Sequence, residues 1–99
     1  MVYTGKLRRQ RHRDGIHYGM FCRGSYFDFM DNLNCQLTEK IRFSVDNNND
    51  SFKQAGRLKR IKDRNGRYVY MIDKKNIDRV FDNFCGQVVK IEMKNEEET

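Results

Sequence analysis

Aromatic and cationic side chains crowd the first third of this sequence. A cationic segment with Lys6, Arg8 and Arg9 precedes six large side chains that fall within twelve residues: Tyr18, Met20, Phe21, Tyr26, Phe27 and Phe29. Flat rings beside positive charge suit unpaired nucleic-acid bases, which stack on aromatics while Lys and Arg hold the phosphates. The same rings could fill a small β core. Both can hold at once, because the two faces of a strand do different jobs.

The charge of the chain also favours a polyanionic partner. Its 99 residues contain 20 Lys and Arg against 14 Asp and Glu, a formal net charge of +6. Such an excess attracts nucleic acid first and anionic membranes second. The cations cluster at residues 6–13 and again at 57–67, where Arg57 and Lys59 lie. These two clusters predict a binding patch, although a charge run can also be a merely solvated face.

Residues capable of catalysis are present without a recognisable catalytic pattern. The sequence contains no glycine-rich phosphate loop, nucleophile elbow or paired-histidine motif. His12 and His17 flank a turn, so a nuclease site is one interpretation and polar loop residues are the simpler one. The sequence therefore predicts a protein that is not an enzyme and uses no cofactor.

The cysteines could bind zinc only together with the histidines. Local zinc sites usually place two ligands two to four residues apart, and Cys22, Cys35 and Cys85 are far from one another in sequence. We therefore expect buried thiols and no metal. An odd number of widely spaced cysteines does not predict a disulfide framework, and no apolar signal segment follows Met1. These features predict a cytoplasmic protein with no membrane partner.

Short strands are expected to position these side chains. The alternation of apolar and polar residues predicts strands at residues 2–10, 16–23, 25–29, 40–46 and 53–63. Five short antiparallel strands with glycine corners commonly close into a small barrel. We therefore predict a mainly β fold, with a five-stranded antiparallel OB-like barrel over residues 1–62.

The last third is expected to form a β-α-β extension, residues 63–94, packed on the barrel. Asn65-Gly66 predicts a hairpin turn. A helix follows from the spacing of four apolar residues, Ile77, Val80, Phe81 and Phe84, with Asp73 as its cap. A final strand is predicted at residues 87–93, and residues 95–99 form an acidic tail that we expect to be disordered.

Five short motifs occur in order along the first two thirds of the chain. They are GKLR at 5–8, YGMF at 18–21, YFDF at 26–29, KIRFSV at 40–45 and QA at 54–55. In this order they resemble the cold-shock domain, a family of the OB-fold class, over about residues 4–62. The resemblance implies a barrel whose aromatic face stacks unpaired bases. The chain departs from the family at Arg9-Gln10, where the family has an aromatic pair, and at Met20, where it has an aromatic residue.

The resulting hypothesis is a protein that binds single-stranded nucleic acid, RNA in preference to DNA. In the third strand, Tyr26 and Asp28 are expected outside and Phe27 inside, because the opposite register buries a carboxylate. The alternative function is a protein-interaction module that docks a nucleoprotein assembly or an acidic protein, with the extension as a docking surface. The predicted nucleic-acid site comprises Lys6, Arg8, Arg9, Tyr18, Met20, Tyr26, Phe29, Arg57 and Lys59.

Overall fold

A computed structural model describes residues 2–13, 15–22, 24–28 and 30–96. Within them the chain forms one antiparallel sheet of eight strands and two short helices, α1 (Met30–Cys35) and α2 (Ile77–Phe84). The strands are β1 (Val2–His12), β2 (Gly15–Cys22), β3 (Ser25–Asp28), β4 (Lys40–Asp46), β5 (Ser51–Lys62), β6 (Tyr68–Ile72), β7 (Lys75–Asn76) and β8 (Val88–Asn95).

The order of the strands across the sheet is β3-β2-β1-β8-β4-β5-β6-β7. The predicted mainly β class is therefore confirmed, but the sheet is open and the five-stranded barrel is not formed. The last strand, β8, lies between β1 and β4 and pairs with both. The residues predicted as an extension thus contribute three strands to the same sheet. The predicted barrel of residues 1–62 was expected to form without a strand from the last third.

One face of the sheet, here called the inner face, forms the core with α2. In β4 and β8 the buried residues alternate with exposed ones, which places Ile41, Phe43 and Val45 beside Val89, Ile91 and Met93. Phe81 of α2 packs between Phe43 and Tyr18, with ring-centroid distances of 5.6 and 4.9 Å. The opposite face is called the outer face, and it is largely exposed.

The cap of α2 differs from the sequence prediction. The four apolar residues predicted for this helix are all buried in it, but the N-cap is Asn76, whose side chain accepts a hydrogen bond from Arg79 N at 3.1 Å. Asp73 instead lies in the turn between β6 and β7 with a φ of 54°. The short strand β7 pairs with β6, so the helix begins only at Ile77, after this strand. Gly86, the predicted stop, follows α2 with a φ of 84°.

The segment between β3 and β4 and the C-terminal end of the described chain complete the fold. The segment between β3 and β4 contains α1, whose Leu33 is buried in the core. At the other end, β8 extends to Asn95 and Glu96 N donates to Lys40 O at 2.9 Å, so the first two residues of the predicted tail pair with β4. Residues 97–99 lie outside the described residues. No helix in the described part of the chain is both long and apolar enough to cross a membrane.

Candidate nucleic-acid interface

A cleft opens where the β1–β2 hairpin approaches the β5–β6 hairpin, and it is here called the hairpin cleft. Its volume is about 540 Å³. The first hairpin supplies Arg11, His12, Arg13, Gly15, Ile16 and His17, and the second supplies Arg60, Gly66, Arg67, Tyr68 and Tyr70. Asp31 and Asn34 of α1 and Asp78 of α2 complete the lining.

The turn after β5 determines which residues face each other across the second hairpin. Asp63 Oδ1 accepts hydrogen bonds from Asn65 N at 2.8 Å and from Arg67 N at 3.0 Å. With the turn closed in this way, Lys62 pairs with Tyr68 and Arg60 pairs with Tyr70. Directly opposite residues of an antiparallel pair share one face of the sheet. The predicted Asn65-Gly66 hairpin therefore brings two cations onto two tyrosines.

The cations lie over the tyrosine rings. The guanidinium carbon of Arg60 is 4.8 Å from the ring centroid of Tyr68 and 5.8 Å from that of Tyr70, and Lys62 Nζ is 5.3 Å from the Tyr68 centroid. A cation within about 6 Å of a ring face is attracted by the ring quadrupole. Tyr68 is nevertheless 54% exposed. Its ring is thus held in place while much of its surface is available to a ligand.

Tyr70 and the two helices form the floor of the cleft. The Tyr70 hydroxyl donates to Asn34 Oδ1 at 2.5 Å, and Tyr70 N donates to Asp78 Oδ1 at 2.8 Å. Burial raises the pKa of Asp78, and the hydrogen bond from Tyr70 N and the charge of Arg67 only partly oppose this effect. Burial also raises the pKa of Tyr70. The floor therefore offers polar groups that are fixed by the fold.

The charge of the cleft suits a phosphate group. Four arginines line it, Arg11, Arg13, Arg60 and Arg67, against two carboxylates, Asp31 and Asp78. The raised pKa of Asp78 weakens its negative charge at acidic pH. An arginine guanidinium binds a phosphate through two parallel hydrogen bonds. A ring beside several guanidinium groups is the combination that binds unpaired nucleotides.

Part of the predicted site lies on the outer face instead. Lys6 and Arg8 of β1 pair with Phe21 and Gly19 of β2, and Phe21 pairs with Tyr26 of β3. The Phe21 and Tyr26 rings meet edge to face at 5.4 Å, and the Arg8 guanidinium is 5.9 Å from the Phe21 centroid. With Phe21 41% exposed, these residues form a smaller second aromatic and cationic surface.

Tyr26 is a poorer platform than expected. It is half-buried, and its hydroxyl is buried with no hydrogen-bond partner among the described residues. Burial raises the pKa of Tyr26, and the charge of Asp28 raises it further. Phe21, which was not in the predicted site, is the more exposed ring of the pair. A base approaching this surface would meet Phe21 first.

Tyr18 and Met20 were predicted to lie in the nucleic-acid site, but the structure buries both side chains. They are 2% and 0% exposed, so neither can stack on a base in this structure. Both lie on the inner face, because they alternate along β2 with residues that face outward. The Tyr18 hydroxyl donates to Asp82 Oδ1 at 2.7 Å, and its ring packs on Phe81. The expectation of an exposed Tyr18 platform was therefore wrong. Phe29 lies outside the described residues.

The remaining predicted cations are spread across the molecule. Arg9 Nε is 3.8 Å from Asp82 Oδ1 on the inner side. Arg57 and Lys59 are exposed on the outer face of β5, where Arg57 Nη1 donates to Thr38 O. Two strands, β8 and β4, lie between β1 and β5 in the sheet. The described residues of the predicted site are therefore divided between the buried inner face and separate parts of the surface.

The hairpin cleft contains residues that sequence reasoning did not assign to a site. Arg60 and Arg67 belong to the cationic cluster that was predicted to form a binding patch, but Tyr68 and Tyr70 were assigned to no site. A signal was nevertheless present, because the Asn65-Gly66 turn sets cations opposite tyrosines on one face. The approach of this hairpin to the β1–β2 hairpin had no such local signal.

Three potential metal ligands lie close together on the β1–β2–β3 part of the sheet, and two of them, His12 and His17, also line the cleft. His12, His17 and Asp28 each present a ligand atom, and these atoms lie within 4.8 Å of one another. His17 Nδ1 is hydrogen-bonded to Asp28 Oδ2 at 2.8 Å. No metal site was predicted from the sequence, because the histidines were weighed there only as zinc ligands together with the distant cysteines.

The chain matches no protein-family model, no curated protein and no solved structure. The resemblance to the cold-shock domain therefore stays a resemblance of five short motifs. In the described part of the chain, the hairpin cleft combines four guanidinium groups with the exposed ring of Tyr68.

Proposed function

We propose that the protein binds single-stranded nucleic acid, RNA in preference to DNA, in the hairpin cleft. The observation that carries this proposal is the exposed ring of Tyr68, which lies against Arg60 in a cleft lined by four arginines. A base would stack on Tyr68, and the flanking phosphates would bind Arg11, Arg13 and Arg67. Base stacking on an aromatic ring and phosphate binding by arginine are the two general sources of affinity for unpaired strands.

The shape and polarity of the cleft favour an unpaired ribonucleotide strand. A volume of about 540 Å³ lies in the range of pockets that enclose a small ligand, which suits splayed nucleotides better than a duplex. The 2′-hydroxyl of RNA is both a donor and an acceptor. Asn34 and Asp31 supply polar side chains at the floor of the cleft where such a hydroxyl can bind.

A pair of matched variants tests which surface binds. Tyr68→Ala removes the stacking ring of the cleft, and Phe21→Ala removes the exposed ring of the outer face. Loss of a stack costs about 1–3 kcal/mol, a fall in affinity of about 5- to 150-fold. We expect this fall for Tyr68→Ala and little change for Phe21→Ala, measured by fluorescence anisotropy with labelled oligouridine on variants whose circular dichroism is native. The reverse pattern would move the site to the outer face.

The salt dependence of binding provides a second test. Each phosphate neutralised on a single strand lowers the logarithm of the association constant by about 0.7 per tenfold increase in salt. We expect Arg11→Gln and Arg67→Gln each to reduce this slope by about that amount, with Lys53→Gln on the outer face as the control. Absence of oligonucleotide binding by the wild-type chain even at low salt would refute the proposal.

A protein-interaction role is favoured by one separate feature. Val88, at the start of β8, is 66% exposed, and Lys6 separates it from the exposed Phe21 on the outer face. Exposed apolar residues beside a cation suit an acidic protein with an apolar contact. After nuclease treatment, a protein that co-purifies with the wild-type chain but not with Val88→Ser would support this function over nucleic-acid binding.

A further inference from the structure

We propose that His12, His17 and Asp28 form a binding site for a divalent transition-metal ion of the zinc type. The proposal rests on the ligand geometry and not on the proposed nucleic-acid binding, although His12 and His17 also line the hairpin cleft. Imidazole nitrogen and carboxylate oxygen are a common donor set for such ions, and three protein ligands leave a fourth position for water. We use Zn²⁺ as the probe ion.

The sheet itself brings the three ligands together. β1, β2 and β3 are adjacent, and each contributes one ligand. His17 pairs with Gln10, which places His12 on the diagonal two residues away, and Asp28 pairs with Gly19, which places it diagonal to His17. Diagonal neighbours on one face are within reach of side chains of this length. All three ligands therefore project from one face at the same end of the hairpin.

Two glycines leave room for the ligands to converge. Gly15 is opposite His12 in the pairing of β1 with β2, and Gly19 is opposite Asp28 in the pairing of β2 with β3. Neither glycine presents a side chain between the ligands. As a result the His12 and His17 rings are stacked, with centroids 4.1 Å apart and an interplanar angle of 22°, and His17 Nδ1 is 2.8 Å from Asp28 Oδ2.

The distances are close to those of a coordinated ion. Ligand atoms in a tetrahedral site with bonds of about 2.1 Å lie about 3.4 Å apart. The three atoms here already lie within 4.8 Å of one another. His12 is exposed at the end of β1, so a change of its side-chain rotamer is enough to complete the set. His17 and Asp28, which are less exposed, form the fixed part of the site.

The charge around the site limits its affinity for a cation. Arg11 and Arg13 on the same hairpin repel a cation. We therefore expect binding weaker than at a structural zinc site.

The test is direct because the chain contains only two histidines. Zn²⁺ is titrated into the full-length protein by calorimetry, and the imidazole nitrogens are followed by NMR. We expect one equivalent to bind, shifting the resonances of both rings, and His12→Gln, His17→Gln and Asp28→Asn each to lower the affinity about 10-fold or more. Gln10→Ala, a neighbour of His17 on the same face, and Cys35→Ser are the matched controls and should bind as the wild type does.

Other outcomes overturn the proposal. These are absence of Zn²⁺ binding, unshifted imidazole resonances despite binding, and affinity that falls only when Cys35 or Cys85 is replaced by Ser. The last result would assign the ion to thiols. If His17→Gln does not fold, the affinity of the exposed His12→Gln variant for Zn²⁺ and the change in the wild-type imidazole resonances still test the proposal.

Discussion

Tyr18 shows how one side chain can satisfy two environments. Its ring packs on Phe81 inside the core, while its hydroxyl reaches the edge of the core and donates to Asp82, whose side chain is 44% exposed. Burial raises the pKa of Tyr18, and the hydrogen bond to the Asp82 carboxylate raises it further. The residue therefore contributes to stability only while it is protonated.

This shift predicts a loss of stability at alkaline pH. The folded-state pKa of Tyr18 is above its ordinary value of 10.0, so the folded chain retains a proton that the unfolded chain releases. Stability is then complete below about pH 10 and falls as the pH rises through that value. We expect Tyr18→Phe to cost about 1–2 kcal/mol at pH 7, because a hydrogen bond to a charged group is lost.

Urea denaturation at pH 7 and pH 10.5 measures both effects. The alkaline fall should be smaller in Tyr18→Phe than in the wild type, because the variant has no hydroxyl to ionise at this position. Tyr3→Phe is a useful comparison, since burial raises the pKa of Tyr3 as well. Equal falls in Tyr18→Phe and the wild type would contradict the assignment.

Gly56 is a position where an added methyl group should be costly because of its backbone. Its φ is +152°, and an added Cβ would lie 2.5 Å from Oδ2 of the exposed Asp73 side chain, which can move aside. Gly56→Ala should therefore destabilise the fold by about 1–3 kcal/mol, chiefly through backbone strain. Gly66→Ala is the matched control, because its φ is +78° but nothing lies within 4 Å of the added Cβ. Chemical denaturation should show the larger loss for Gly56→Ala.

At the scale of elements, α2 depends on the residue that caps its N-terminus, Asn76. The helix has only eight residues, so an isolated peptide of this length would not be stable. It is held by its four buried apolar side chains and by the Asn76 cap. The preceding hairpin of β6 and β7 determines where that cap lies.

Asn76→Ala should lower the free energy of unfolding by about 1 kcal/mol, because Arg79 N loses its hydrogen-bond acceptor. Asn76→Asp retains an acceptor at the N-terminus of the helix and is the control. Urea denaturation of both variants measures the difference. A loss for Asn76→Asp as large as that for Asn76→Ala would show that the acceptor does not stabilise the helix.

At the scale of the whole molecule, β8 joins the two halves of the sheet. Its residues Val88–Glu92 pair with β1, and Lys90–Asn95 pair with β4. Val89 and Ile91 are buried between the two halves. The core of the first 62 residues is therefore completed by a strand from the end of the chain.

A fragment of residues 1–62 should consequently not fold. Without β8, the facing edges of β1 and β4 lose their hydrogen-bond partners, and without α2 the inner face loses Phe81 and its neighbours. We expect little β signal in circular dichroism and poorly dispersed amide resonances, with the full-length chain as control. A folded fragment would instead support the separate barrel domain that the sequence predicts.

Patterns of short range were predictable, because they depend on neighbours in sequence. The bounds of β4 agree with the predicted residues 40–46, since strict alternation of Ile41, Phe43 and Val45 with polar residues leaves one register. The Asn65-Gly66 hairpin and the apolar face of α2 follow from equally local rules. The basic character that underlies the proposed function is likewise a property of composition.

The site was less predictable because it depends on faces and on strand order. Alternation shows that Tyr18 and Met20 share a face with each other, but not whether that face is covered. The helix that covers it, α2, is about 60 residues later in the chain. The convergence of His12, His17 and Asp28 likewise needs three strands to be adjacent in the right register.

The amino-acid sequence by itself determined the mainly β class, the local turns and the excess of positive charge, because each arises from side chains a few residues apart. Only the tertiary structure decided that β8 lies between β1 and β4, that Tyr18 is buried and that Tyr68 is exposed beside four arginines. Those outcomes depend on which apolar faces bury each other across the whole chain, and a pattern of short range does not contain that information.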